Sequence, residues 1–176
     1  MAAIGPETAQ RRNFCGVARK RPSEEDHREA LKRLLAGLAR SDDLFVLTES
    51  LTDLHPNNDT FPGEVFMRLA VDALDVARVS RDAPIEYEGL RETFLPECDF
   101  RGKENRKFQY AVLTSASLRG GLEPDVLDEV IWWNDDYWYY ALCATVALIR
   151  ACAQHDGVTI VELVEKLADR HGVPLN

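Results

Sequence analysis

A chain of 176 residues with 45% hydrophobic content is expected to be one domain, able to bury a core without disulfide or metal staples. Its 21 basic residues against 30 acidic ones leave a formal net charge of −9. That balance argues against a general nucleic-acid or membrane-surface binder, because neutralising phosphate is the main source of such affinity. Residues 1–10 offer no apolar run for a secretory signal, and the longest apolar run, Tyr137 to Ile149, is shorter than the roughly 20 residues a bilayer requires. Cys15, Cys98, Cys143 and Cys152 form no Cys-x-x-Cys pair. A cytoplasmic protein with reduced thiols and no membrane partner is therefore expected.

Residues 1–22 carry Arg11, Arg12, Arg19, Lys20 and Arg21 with little apolar content, which predicts a flexible basic arm preceding a single helical domain over 23–176. Ser23 with Glu24, Glu25 and Asp26 marks a helix start, and Leu31, Leu34, Leu35 and Leu38 give it an inward stripe to about Arg40. Ser41, Asp42 and Asp43 precede Leu44–Leu54, whose opening run Leu44-Phe45-Val46-Leu47 suits strand or helix. The spacing of Leu44, Leu47, Leu51 and Leu54 favours helix. Pro62 opens a third helix to about Val79, with Phe66, Leu69, Ala70, Ala73, Leu74 and Ala77 inward, and Pro84 opens a short fourth that stops before Pro96.

A fifth helix over 103–118 ends at Gly120-Gly121, and Pro124 restarts the chain into a sixth over 124–155, so the two form an αα-hairpin. Gly157 closes the sixth, Thr159 caps a last helix over 159–171, and His171-Gly172 ends it. Every long periodic segment fits 3.6 residues, which predicts an all-α bundle of about six to seven helices.

The sixth helix concentrates the chemistry that the sequence offers. Projected at 100° per residue, it places Trp133, Trp138 and most aliphatic residues on an apolar face. The opposite stripe sets Trp132, Tyr139 and Cys143 among carboxylates that include Asp135 and Asp136. Large aromatics on an acidic stripe suggest an interface, so Trp132, Tyr139, Asp135, Asp136 and Cys143 are candidate contact residues. Arg101, Lys103, Arg106 and Lys107 crowd the start of the fifth helix, where cations oppose the dipole, which makes them candidates for an anion site. Counting back from the glycine turn puts Lys107 level with Asp136 and Lys103 level with Tyr140, so local ion pairs are the competing reading. Asp125, Glu129 and Asp136 are weak candidates for a divalent cation.

Cys152 and His155 stand one turn apart without a second ligand pair, and phosphate-loop and nucleophile-elbow motifs are absent from the sequence. The leading expectation is a non-enzymatic helical binding or regulatory module without a cofactor, self-associating through the aromatic and acidic stripe, with a further protein partner possible. The alternative is a small phosphate- or nucleotide-handling enzyme or sensor, with the 101–107 cluster beside a Mg²⁺ held by carboxylates of 125–136.

Overall fold

The computed structural model describes residues 23–41, 43–52, 61–80, 87–121 and 137–175. The expected basic arm over 1–22 and the part of the sixth helix before Tyr137 lie outside them. Seven α-helices and no strands occur among the described residues: α1 (Glu24–Arg40), α2 (Leu44–Thr52), α3 (Phe61–Val76), α4 (Tyr87–Phe94), α5 (Lys103–Arg119), α6 (Tyr137–Asp156) and α7 (Ile160–His171). The fold is all-α, and the ambiguous run after Ser41 is helical. Asp43 Oδ1 accepts hydrogen bonds from the Phe45 and Val46 amides at 2.8 and 3.2 Å, which fixes the start of α2.

α1 and α7 begin alike. Ser23 and Thr159 each close a capping box with the acidic residue three positions on, Asp26 and Glu162, so side chain and backbone satisfy each other's first-turn groups. α1 buries Ala30, Leu34, Leu35 and Leu38, and α7 buries Leu163, Val164, Leu167 and Ala168. The inward residues expected for α3 are all buried. That helix stops at Val76 because Arg78 takes a positive φ of 52°, with the Arg78 and Val79 amides folded back onto Asp75 O and Leu74 O.

α6 is the centre of the bundle. It packs against α3 most extensively and also against α2, α4, α5 and α7. Every residue from Tyr140 to Ile149 is buried, so this half of the helix has no polar stripe. The amphipathic projection fails here because it presumes one solvent-facing side, whereas a helix apolar all round is covered all round. Ala141, Ala144 and Ala147 allow close approach, and the buried Thr145 hydroxyl donates to Ala141 O at 2.8 Å, satisfying itself within the helix. On α5, Ala111 and Ser115 are buried toward the core as their size suggests, while Ser117 is exposed. No described helix is long and apolar enough to cross a membrane.

Candidate functional site

A concavity of about 610 Å³ formed by described residues lies between α1, α3 and the end of α7. Its floor is apolar, from Leu31, Val65, Leu69 and Val173, and its walls carry His27, Arg28, Arg68 and His171. The mixture follows from where the helices cross. α1 turns Ala30 and the leucines after it inward, which leaves His27 and Arg28 one turn earlier at the rim. α7 ends at His171, and the left-handed Gly172 turns the chain so that Val173 seals the floor.

Charge inside the cleft is unevenly matched. His171 Nε2 lies 3.0 Å from Asp72 Oδ2 without hydrogen-bond alignment, and Arg170 pairs with the other oxygen of Asp72 at 3.2 Å. Arg68 pairs with Glu64 at 2.7 Å, one turn away on α3. Arg28 has no ion-pair partner among the described residues. Two imidazoles, two carboxylates and two guanidinium groups, of which Arg28 is the one left without a carboxylate among the described residues, thus border an apolar floor, an arrangement able to hold the head group of an anionic ligand. Among the described residues no three His, Cys, Asp or Glu side chains are placed to share a metal ion.

The residues singled out in the sequence are distributed differently. Trp132, Asp135 and Asp136, with the cation candidates Asp125 and Glu129, lie outside the described residues. Cys143, expected on a surface stripe, is fully buried, because α6 runs through the middle of the bundle. Tyr139 is half-buried, edge-on to Phe100 and Trp138 at centroid distances of 6.3 and 6.2 Å. Trp138 is itself only partly buried against the core.

The basic cluster is partly engaged within the chain. Arg101 Nε donates to Asp99 Oδ1 at 3.1 Å, and this hydrogen bond holds the Asp99 carboxyl below the usual carboxylate range. Lys107 Nζ sits 5.1 Å above the Tyr140 ring. The count from the glycine turn had matched Lys103 to Tyr140, so the observed register is one helical turn away from that expectation. Lys103 and Arg106 are exposed.

The cleft was not foreseen from sequence, because His27 and His171 stand near opposite ends of the chain with no shared motif. Their positions beside helix ends were the available signal. Comparison with protein-family models, curated proteins and solved structures finds no match for this chain.

Proposed function

We propose that the protein is a non-enzymatic helical binding module whose ligand, an organic anion with an apolar body, enters the cleft between α1, α3 and α7. The observation that carries this reading is Arg28, a cation without a carboxylate partner among the described residues, in the wall of an apolar-floored cleft. Medium-chain carboxylates such as octanoate are suitable probes, measured by titration calorimetry and thermal shift. Octanoate should bind and raise the melting temperature. Arg28→Ala should weaken binding about tenfold or more, since a hydrogen bond to a charged group contributes about 1.5–3 kcal/mol. Arg33→Ala, on α1 outside this cleft, should leave binding unchanged. No binding by any probe, or equal binding by wild type and Arg28→Ala, would overturn the reading.

Self-association is a second proposal, favoured by Tyr110 and Leu113, which stand 45% and 49% exposed one turn apart on α5. Trp132, Asp135 and Asp136 join it on the sequence argument alone. Sedimentation should show a concentration-dependent dimer that Leu113→Lys dissociates. A monomer at every concentration would remove this proposal and leave the cleft untouched.

A further inference from the structure

The segment that follows α4 is strapped along α6 at two points. Toward the C-terminal end of α6, Arg150 Nη1 donates to Phe94 O and, at 2.8 Å, to Glu97 Oε1. Near the start of α6, Phe100 packs on the rings of Tyr139 and Tyr140, with centroids 6.3 and 5.4 Å away. The strap therefore runs antiparallel to the helix. Cys98 lies between the two anchors on the strap, and Cys143 lies between them on the helix.

That alignment sets the Cys98 thiol against the Cys143 thiol, close enough for Cys143 to act on it as a donor, and the hydroxyl of Tyr139, one turn before Cys143, borders both. Cys98 is half-buried and open to a small reagent, whereas Cys143 is wholly enclosed. We propose that Cys98 and Cys143 are a redox-active dithiol, a modification site at which a hydroperoxide drives closure of a disulfide across the contact between the strap and α6.

The two sulfurs differ in role because their surroundings differ. The hydrogen bond from the Cys143 thiol favours the Cys98 thiolate and lowers its pKa below the ordinary thiol value, with Arg150 adding to the effect. Burial pushes the Cys143 thiol well up, so it stays protonated as the donor. Cys98 Sγ attacks the terminal oxygen of the hydroperoxide, the O–O bond breaks, and the leaving alkoxide takes up a proton as the alcohol. Cys98 becomes a sulfenic acid. Cys143 Sγ then attacks that sulfur, its proton joins the departing hydroxide, and water leaves as the S–S bond forms. Two thiols and one hydroperoxide give one disulfide, one alcohol and one water. A thiol reductant reverses the change.

Cys152 supplies an internal control: it is buried, and that burial pushes its thiol up to about 12. The full chain carrying Cys15→Ser, so that only Cys98, Cys143 and Cys152 report, is treated with stoichiometric tert-butyl hydroperoxide, alkylated and peptide-mapped. The expected result is a Cys98–Cys143 linked peptide, a mass loss of about 2 Da that dithiothreitol reverses, and an unmodified Cys152. With Cys143→Ala, Cys98 should stop at a sulfenic acid that dimedone traps. Where that variant does not fold, Cys98→Ser serves instead, and Cys143 should then resist the hydroperoxide. Over-oxidation of Cys98 without a disulfide in the Cys15→Ser chain, absence of reaction, or linkage to Cys152 would each overturn the proposal.

Discussion

Two kinds of helix end hold this bundle together, and they differ in where their partners come from. α1 and α7 start with capping boxes, Ser23 with Asp26 and Thr159 with Glu162, so the groups that satisfy the first turn lie within three residues of it. The end of α3 and the start of α5 draw on more distant residues as well: the Arg78 and Val79 amides fold back onto Asp75 O and Leu74 O, and a side chain from another helix adds to that turn. Arg119, from the far end of α5, reaches α3 and donates to Val79 O at 2.6 Å and Leu74 O at 3.3 Å while pairing with Asp75 at 3.0 Å. α5 itself opens on Gly102, at φ 52° and ψ −107°, with no side-chain cap. Its position is set by Phe100, which packs on Phe108 at 5.7 Å and on the aromatic start of α6. The first kind of end is closed by its own neighbours in the chain, whereas the other two also lean on contacts that form only as the bundle assembles.

The sharpest way to break this contrast is Arg119→Ala. The side chain is only 9% exposed, so its loss strips the α3 carbonyls and Asp75 of their donor without giving water free access. A cost of about 2–3 kcal/mol in urea denaturation is expected, and Arg119→Lys should recover little of it because an ammonium lacks the guanidinium fork. A loss below about 0.5 kcal/mol would show that α3 ends without help from α5.

Gly102→Ala tests the other assembled end. A Cβ there would meet nothing within 4 Å, so the whole effect is backbone strain at a positive φ that side chains rarely adopt. A cost of about 1–3 kcal/mol is expected, together with earlier fraying of α5 amides in hydrogen exchange. Unchanged stability would mean that the turn relaxes to an ordinary conformation at no cost.

The same contrast explains what was legible in the sequence. Ser23, the leucine stripe of α1, Gly157, Thr159 and His171-Gly172 were read correctly because each signal and its partner are neighbours in the chain. Cys143 was misplaced because periodicity reports how apolar a face is, not how many helices cover it. The cleft was missed because His27, Asp72 and His171 meet only through the crossing of α1, α3 and α7. The register of Lys107 over Tyr140 was missed by one turn because a count from the hairpin follows the sequence alone, whereas the register is set by how α5 packs on α6. The Cys98–Cys143 meeting depends on the strap gripped by Arg150, which no local motif announces.

Among the self-capped ends, Thr159→Ala should cost about 1 kcal/mol and leave the rest of the bundle unaltered. The cap also carries a pH signature. The Thr159 amide and hydroxyl hold the Glu162 carboxyl below its ordinary value. A depressed carboxylate stabilises the fold above its unfolded pKa, and that contribution is lost as pH falls through the folded one. The difference between wild type and Thr159→Ala should therefore be full near neutrality and shrink in acid, below the ordinary carboxylate range of about pH 4. A difference that stays constant on acidification would show that the hydroxyl alone caps α7.

The smallest effect is expected at the basic start of α5, where the two kinds of end can be told apart by charge. Arg101 is tied to Asp99 and Lys107 lies over Tyr140, which leaves Lys103 and Arg106 as the exposed cations at a helix end that disfavours them. Replacing both by Ala should change stability by no more than about 0.5 kcal/mol, with a slight gain as the favoured sign, because the repulsion from the dipole is relieved. The same variant decides the anion-site alternative. If the free amides of α5 and these two cations gather phosphate, added phosphate or nucleotide with Mg²⁺ should stabilise the wild type in proportion to occupancy, and the double variant should lose that response. If the cluster is only the exposed edge of an assembled helix end, neither protein responds at millimolar concentrations. The second outcome is the expected one, since Arg101 already has its carboxylate in Asp99 and Lys107 already lies over the Tyr140 ring.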